Sequence, residues 1–255
     1  MFQFSYKRCF KACVLAGGML MFSTSCKKEL PQAIFPASLT IVNGVNDNTS
    51  FLTAYFGNAQ PKYYNRLSYI GSGNSYDYAT DKMEQPVTLF RNNDTLQPGK
   101  FFLKTSLQLE PGGIFTQFVY GSPTQVKQKT IKEQLPPRSL HDSVAHLRII
   151  NLFDNRSIDV VQLEPVAVTM VTNLAYEQLS DFIKVPVNAS VKNFRFAVKD
   201  HATGVALDTL SEINISPGST TLSVQWLFKA RTMLVTGTWT NASVFSARAK
   251  SIGHF

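Results

Sequence analysis

Cysteine is the most reactive side chain in this sequence, and its placement is unusual. All three cysteines, Cys9, Cys13 and Cys26, lie within the first 26 residues. A thiol can form a disulfide, bind a metal or act in redox chemistry only where the fold brings partners to it. The chain after Cys26 contains no thiol, so the sequence excludes a disulfide framework and a cysteine-based metal or redox site there.

The segment before Cys26 has three parts. It begins with basic residues, continues with an apolar run over residues 12–22, and ends with small residues at 23–25. This order is that of a secretory signal. In helical form the apolar run covers about 16 Å, roughly half the hydrocarbon thickness of a bilayer. The sequence therefore predicts export and cleavage of residues 1–25 rather than a permanent membrane span.

Cys26 and its surroundings resemble the lipobox of bacterial lipoproteins, in which the cysteine is diacylglycerol-modified and becomes the mature N-terminus. The match departs at the third position before the cysteine, where Ser23 replaces the usual Leu. Residues 25–29, Ser-Cys-Lys-Lys-Glu, are similar to leaders of Bacteroidota lipoproteins. The resemblance implies a lipidated Cys26, a tether over 26–36 and a cell-envelope protein anchored in the outer membrane. An ordinary signal peptide with an incidental cysteine is the alternative.

Charge and composition limit the partners of the chain. It carries a net charge of +8, and its 44% of hydrophobic residues is ordinary for a globular fold. Removal of the leader leaves 22 basic and 17 acidic residues, a net charge of +5, most of it in the tether and in residues 127–138. The basic face that a nucleic-acid partner requires is not indicated. The predicted partners are the membrane, through lipidated Cys26, and a protein or glycan.

Several segments of the first half recur in the second. Residues 38–43 recur as 146–151, residues 66–69 as 173–176, and residues 107–112 as 213–218, at offsets of 108, 107 and 106. Residues 118–121 match 234–237 if the second copy has about ten extra residues. A duplication predicts two domains, at 37–123 and 144–255, with a linker at 124–143.

Two points of this division stay open. The Pro pair at 136–137 stiffens an extended spacer and lacks sheet donors, which favours a linker, although part of 124–143 also suits an edge strand. In the repeat, the Pro-Gly pair at 98–99 is an alternative counterpart of the Pro-Gly pair at 217–218.

Each copy has the pattern of β structure. Alternation predicts a half-buried strand over 39–42, with Leu39 and Ile41 on one face. Short β-branched and aromatic runs, separated by turn signals at roughly 8 to 12 residues, are typical of a sandwich or barrel. The sequence shows no long helical periodicity. The predicted fold is all-β, with two tandem immunoglobulin-like β-sandwich domains after a cleaved lipoprotein signal peptide.

The repeat motifs resemble a known family. The opening Ala-x-Leu-x-Ile-Val-Asn at 37–43, a mid-copy Leu-x-Tyr, a Pro-Gly strand end and the closing Phe-Val-x-Gly at 118–121 look like the domain of unknown function 4397. That family occurs as tandem copies in exported Bacteroidota lipoproteins. The resemblance runs from about residue 37 to the C-terminus and implies an extracytoplasmic β-sandwich. It supplies no catalytic residues to carry over.

Residue spacing does not indicate a catalytic, metal or cofactor site. The four histidines are scattered and show neither H-x-x-x-H nor HExxH spacing. Asp154 and Asp159 could offer oxygen ligands to calcium, but they lack EF-hand spacing, and a role in turns explains them better. No glycine-rich phosphate-binding pattern is present in the sequence. We expect no enzymatic activity, no metal and no cofactor.

Aromatic residues are the remaining candidates for binding. Tyrosines crowd residues 63–78, and two tryptophans mark the second copy. In an exported protein, exposed rings are a platform for stacking on sugars, so Tyr76, Tyr78 and Trp226 are the candidate ligand-binding residues. Packing is the alternative, since Tyr76 and Tyr78 are two residues apart and share one strand face.

Two functions fit these features. The first is a non-catalytic, lipid-anchored cell-envelope protein that acts as a binding or spacer module. The second is a glycan-binding accessory lipoprotein of a polysaccharide uptake system, which rests on the tyrosines and on the compartment. Both follow from features of the exported chain rather than from a catalytic motif.

Overall fold

The computed structural model describes most of the chain after the leader. The described residues are 35–47, 51–57, 69–91, 94, 99–138, 141–188, 190–213, 215 and 226–254. Cys26 and the predicted signal peptide lie outside them. Phe35–Phe255 form one compact unit.

Strands account for all the regular elements of the described chain, which shows no α-helix. The sixteen strands are β1 (Ala37–Val45), β2 (Leu52–Tyr55), β3 (Tyr69–Ile70), β4 (Ser75–Thr80), β5 (Glu84–Arg91), β6 (Leu103–Gln108), β7 (Ile114–Ser122), β8 (Gln125–Lys132), β9 (Val144–Phe153), β10 (Ile158–Glu164), β11 (Val168–Leu174), β12 (Ile183–Pro186), β13 (Phe194–Asp200), β14 (Ala206–Glu212), β15 (Ala230–Asn241) and β16 (Val244–Gly253).

The strands form four four-stranded sheets, two in each half of the chain. The first inner sheet has the order β4-β1-β7-β8, and the second inner sheet has the order β12-β9-β15-β16. The outer sheets have the orders β3-β2-β5-β6 and β11-β10-β13-β14. In each inner sheet the first and seventh strands of the half run parallel. The predicted all-β sandwich class is confirmed, and the two halves share one topology strand for strand.

The inner sheets are buried on both faces. Leu39 and Ile41 of β1 point into the core of the first sandwich, between its own two sheets. Val42 of β1 belongs instead to a third cluster, where it meets Ile150 of β9 from the second half. The prediction of a half-buried strand over 39–42 is therefore wrong: Thr40 and Val42 on the other face are 1% and 0% exposed, because the second inner sheet covers them.

The strand register tests the repeat matches. Val42 pairs with Phe118 in the first inner sheet, and Ile150 pairs with Leu234 in the second. Because Val42 and Ile150 are counterparts, the match of 118–121 with 234–237 is confirmed.

The third repeat match is supported at one pair of positions, Leu109 and Ile215. Leu109 N donates to Met83 O in the first half, and Ile215 N donates to Lys192 O in the second. Both bonds join the chain that follows the last outer strand to a residue one or two positions before the neighbouring outer strand begins. Leu109 and Ile215 are both buried at equivalent positions. This supports the match of Leu109 with Ile215, whereas the Pro-Gly pair at 217–218 lies outside the described residues.

A fully buried asparagine ties each inner sheet to the turn beside it. Asn43 Nδ2 donates to Ile70 O over 2.9 Å. Asn151 Nδ2 donates to Leu174 O over 2.8 Å and to Arg156 O over 2.6 Å. In both halves the amide oxygen accepts a backbone N–H two residues further along the chain. Each side chain thus satisfies backbone groups that would otherwise be buried without partners.

These bonds correct the mid-copy match. Ile70 is the counterpart of Leu174, because the two asparagines bond to these two carbonyls. The tight turn that follows then pairs Ser72 with Tyr176, and not Tyr69 with Tyr176 as predicted. The backbone bonds of the two turns have the same pattern throughout. The predicted match was displaced by three residues.

The two inner sheets pack face to face through reciprocal contacts. From β8, Lys127 Nζ lies 3.1 Å from Glu177 Oε1, and Lys129 Nζ donates to Glu177 O over 2.8 Å. From β16, Arg248 Nη1 donates to Ser72 Oγ over 3.1 Å. Strands β8 and β16 are counterparts, and so are the two turns. Each half therefore contacts the other with the same surface, as two subunits do in a two-fold dimer.

Strand β8 lies within 124–143, where the sequence favoured a linker and left an edge strand as the alternative. Gln125–Lys132 pair with β7 along the whole strand and form one edge of the first inner sheet. Glu133 follows directly and is 8% exposed. This part of the chain therefore contributes to the packing between the halves.

Replacing Asn151 with Ala should destabilise the fold strongly, because two part-buried carbonyls and one buried N–H would lose their hydrogen bonds to its side chain. Each such group costs about 1–3 kcal/mol, so the free energy of unfolding should fall by about 3 kcal/mol or more. Urea unfolding followed by circular dichroism measures the change. Asn241→Ala, in an exposed hairpin, is the control and should change stability by less than about 1 kcal/mol. Equal small effects would contradict the role of Asn151.

Candidate functional site

Tyr76 and Tyr78 lie on β4, the edge strand of the first inner sheet. They pair with Ile41 and Leu39, so their rings share the face that lines the first core. Their ring centroids are 5.1 Å apart, and the ring of Phe56 meets Tyr78 edge to face at 4.7 Å. The structure thus brings the two predicted residues together with Phe56, and we name these three residues the edge aromatic cluster.

The two tyrosines of this cluster have different surroundings. Tyr76 is 43% exposed and presents its ring to solvent. Tyr78 is half-buried, and its Oη has no hydrogen-bond partner among the described residues. Burial, followed by the charges of Tyr76 and Asp77, raises the pKa of Tyr78. Tyr78 is therefore a neutral phenol behind an exposed ring, which suits binding of an uncharged ligand better than acid–base chemistry.

Trp226 lies in the core of the second sandwich. It is 1% exposed, with the rings of Phe194 and Phe196 at 4.9 and 6.3 Å and the Arg231 guanidinium at 4.9 Å. These neighbours cover the indole ring, so the ring offers no accessible face for a ligand. The packing alternative describes its position.

Trp239, the other tryptophan, is half-buried on β15. Its ring stacks on Phe245 at 5.6 Å, and the guanidinium of Arg156 lies 4.6 Å from its centroid. Asp200 holds that guanidinium through two bonds of 2.6 and 2.7 Å. The bonds from Arg156 and then from Thr203 lower the pKa of Asp200 to about 2 against the effect of burial. These contacts fix the guanidinium against the indole as part of the packing.

The acidic residues considered for calcium have other partners. Asp159 Oδ1 accepts from Asn173 N over 2.8 Å and lies 2.9 Å from His201 Nδ1. Asp154 Oδ2 accepts from Trp239 N over 3.2 Å. Within the described ranges, no group of three His, Cys, Asp or Glu side chains is placed to hold a metal ion. Both aspartates support the local backbone.

A buried polar cluster, which the sequence did not predict, lies between the two inner sheets. Arg148 Nη2 donates to Glu133 Oε1 over 2.6 Å, and its Nε donates to Thr232 Oγ1 over 2.9 Å. His254 Nε2 lies 2.6 Å from the same hydroxyl. We name these four residues the junction cluster. Glu133 and His254 are counterparts, since their backbone N–H groups donate to the equivalent carbonyls of Ile114 and Ala230.

A hydroxyl, an imidazole and a carboxylate in one cluster are the components of nucleophilic catalysis. Here the hydroxyl of Thr232 is 0% exposed, and His254 and Glu133 are 4% and 8% exposed. Arg148 also occupies both Thr232 and Glu133 with its own hydrogen bonds. A substrate therefore has no path to the hydroxyl in this arrangement. The junction cluster joins the two halves, with Arg148 paired across the junction to Glu133.

The junction cluster predicts a pH dependence of stability. Burial is the main cause that lowers the pKa of His254 from 6.5 to about 4. The charges of Glu133 and Asp77 oppose this shift, whereas those of Arg148 and Arg231 act in the same direction as burial. Between these values the unfolded chain binds a proton that the folded protein excludes, so stability present above pH 6.5 is lost as the pH falls towards 4. The loss should be of order 3 kcal/mol.

Urea unfolding at pH 7 and at pH 4.5 measures this loss. His254→Gln, which cannot titrate, should remove most of the difference in the free energy of unfolding between the two pH values. His146 also has a pKa lowered by burial, so His146→Gln is the matched control and should leave most of the difference in place. An unchanged pH dependence in His254→Gln would contradict the assignment.

No protein-family model and no curated relative matches the chain. Among solved structures it is similar to the fimbrial anchor protein Mfa2 from Porphyromonas gingivalis (7% identity, 83% of this chain, 95% of that chain, TM-score 0.27). It is also similar to a family 41 carbohydrate-binding module from a streptococcal virulence factor (11%, 84%, 97%, 0.25) and to a DUF3823 family protein from Bacteroides ovatus (8%, 70%, 98%, 0.19). These TM-scores are too low to carry an argument about function.

None of the described residues forms a helix of the length and apolar character that a membrane span requires.

Proposed function

We propose that this protein is a non-catalytic binding module of the cell envelope, attached to the outer membrane through a lipid on Cys26. The observation that carries the proposal is the reciprocal packing of the two inner sheets, with Val42 and Ile150 buried between them. This packing joins the two tandem sandwiches into one body in which they keep a fixed orientation relative to each other. A fixed body on a tether is suited to presenting a binding surface away from the membrane.

The leader supports the attachment. A single acyl chain binds a membrane marginally, whereas two or more hold a protein firmly, at about 0.8 kcal/mol per buried CH₂. Lys27 and Lys28 directly follow the cysteine and can meet anionic head groups. The resemblance of the repeat motifs to the domain of unknown function 4397 belongs to the same proposal, since that family occurs in exported lipoproteins.

Cys26→Ala tests the attachment. The full chain expressed in a Bacteroidota host should incorporate a palmitate analogue and fractionate with the outer membrane, whereas Cys26→Ala should lose both properties. Cys9→Ala, in the cleaved leader, is the matched control and should retain both. Label or membrane fractionation that persists in Cys26→Ala would refute lipidation at this residue.

Glycan binding is the second candidate function, and the edge aromatic cluster favours it. Tyr76 is a 43% exposed ring backed by Tyr78, which Phe56 contacts in turn. A flat exposed ring with a firm backing can stack on the apolar face of a sugar. Under this candidate function the protein is an accessory lipoprotein of a polysaccharide uptake system.

A glycan array on the mature chain tests this candidate. We expect binding to at least one polysaccharide, and Tyr76→Ala should weaken it about tenfold or more, since a lost ring contact of about 1.4 kcal/mol has that effect. Phe101→Ala, which removes another exposed ring, is the control and should bind like the parent. Absence of binding to every glycan, or equal binding by Tyr76→Ala, would refute glycan binding at this cluster.

A further inference from the structure

The two-fold relation between the halves produces two equivalent corners, where a turn of one half meets the inner-sheet hairpin of the other. The register makes Tyr120 of β7 the counterpart of Thr236 of β15. The backbone bonds of the turns make Tyr176 the counterpart of Ser72. We name the corner at Tyr120 and Tyr176 the closed corner, and the corner at Thr236 and Ser72 the open corner.

Aromatic rings fill the closed corner. Tyr120 and Tyr176 meet edge to face, with ring centroids 6.4 Å apart. Lys127 Nζ lies 5.0 Å from the Tyr176 centroid and pairs with Glu177. The two phenols thus complete the packing between the halves on this side.

The open corner has small polar residues at the same two positions and contains a cleft. Its volume is about 160 Å³, and residues of both halves line it. Ser72 and Thr236 take the places of the two tyrosines, while Asn46, Asp47 and Arg248 add an amide, a carboxylate and a guanidinium. Its size equals that of about five waters at about 30 Å³ each. The cleft therefore suits one small polar molecule of about the size of a single ring rather than a long chain.

One polar atom in the open corner is buried and unmatched. Asn46 Nδ2 donates to Gly237 O over 2.8 Å, which fixes the orientation of the amide. Its Oδ1 is then an acceptor, and it is buried with no hydrogen-bond partner among the described residues. A buried acceptor without a donor costs about 1–3 kcal/mol. A molecule bound in the cleft reaches this acceptor only if the amide turns towards it, because Oδ1 itself is buried.

The remaining groups of the open corner define the chemistry of that molecule. Ser72 Oγ accepts from Arg248 Nη1 over 3.1 Å and donates to Val45 O over 3.2 Å. The lining combines one cationic and one anionic side chain with hydroxyls, so it offers donors and acceptors without a single dominant charge. In the counterpart corner, the same position holds rings that bear a hydroxyl.

We infer that the open corner binds one hydroxylated six-membered ring, a pyranose, in the position that the tyrosine rings occupy in the closed corner. Vicinal hydroxyls both donate and accept, as the mixed lining of the cleft requires. The ring is either a free monosaccharide or the terminal unit of a glycan. None of the residues of the edge aromatic cluster lines this cleft. The inference is thus independent of glycan binding at Tyr76.

Nuclear magnetic resonance on the ¹⁵N-labelled mature chain tests the inference. Glucose, galactose, mannose and N-acetylglucosamine, each free and as the methyl glycoside, would be titrated to about 50 mM, because millimolar binding corresponds to about −4 kcal/mol. At least one sugar should shift the amide signals of Ser72, Gly237 and Ala247. Binding of free sugars alone identifies a monosaccharide site, and binding of the glycosides as well identifies a terminal glycan unit.

The double variant Ser72→Tyr with Thr236→Tyr copies the closed corner into the open one. It should bind the same sugar at least about tenfold more weakly, and it should unfold at a temperature equal to or above that of the parent, because rings fill the cleft. Tyr176→Phe, in the closed corner, is the matched control and should leave binding unchanged.

Three results would overturn the inference. The first is absence of shifts with every sugar, and the second is shifts that centre on Tyr76 rather than on the open corner. The third is equal binding by the folded double variant. If that variant does not fold, the position of the shifts in the parent decides between the cleft and the edge. Binding of glycine or alanine, but of no sugar, would assign the cleft to a zwitterion and refute a pyranose.

Discussion

The face-to-face packing of the two inner sheets is the constraint on which the rest of the structure depends. A sheet covered on one face alternates buried and exposed residues, but β1, β7, β9 and β15 are covered on both faces and are therefore buried along most of their length, polar residues such as Thr40 and Arg148 included. Seven buried apolar or aromatic residues fill the junction, Val42, Phe118, Tyr120, Ile150, Leu152, Leu234 and Ile252. At about 1.5–3 kcal/mol for each large apolar side chain, this burial contributes of order 10 kcal/mol to holding the halves together. A flexible linker alone would leave their orientation free.

Polar groups inside this junction select one orientation. Arg148 and Glu133 are 5% and 0% exposed in their side chains, and Arg148 also bonds to Thr232. A buried ion pair adds little net stability, but separation of the partners costs about 3–5 kcal/mol because a charge is then buried alone. Apolar surfaces slide over each other at low cost. A shifted docking of these two sheets would separate Arg148 from Glu133, so the ion pair fixes the register that the apolar residues leave open.

Sequence patterns predicted those features that strand geometry enforces. The match of Phe118 with Leu234 was found from sequence because a shift of one residue in a buried strand would exchange its two faces. The mid-copy match slipped by three residues because Tyr69 and Tyr176 share a local pattern, while the true equivalence depends on bonds to distant asparagines. The burial of Trp226 could not be predicted for a similar reason. The sequence shows that a residue is aromatic, but not whether its ring lies in a core or on a binding surface. Glu133 meets its partner only when two sheets from different halves dock, and no local pattern records that.

Duplication places two equivalent corners at the junction, and the two corners have diverged. Loss of two buried rings would cost several kcal/mol if it left an empty apolar cavity. The open corner avoids that outcome because Ser72 and Thr236 are polar and Asn46 and Arg248 add hydrogen-bonding groups, so the space suits water or a polar ligand. Eroded packing would leave small apolar residues, whereas this lining is hydroxylated and charged. The apolar centre of the junction holds the halves together without the second pair of rings. Under the proposed function, one corner can then serve as a site while the other keeps the body closed, and this asymmetry would separate a binding module from a simple spacer.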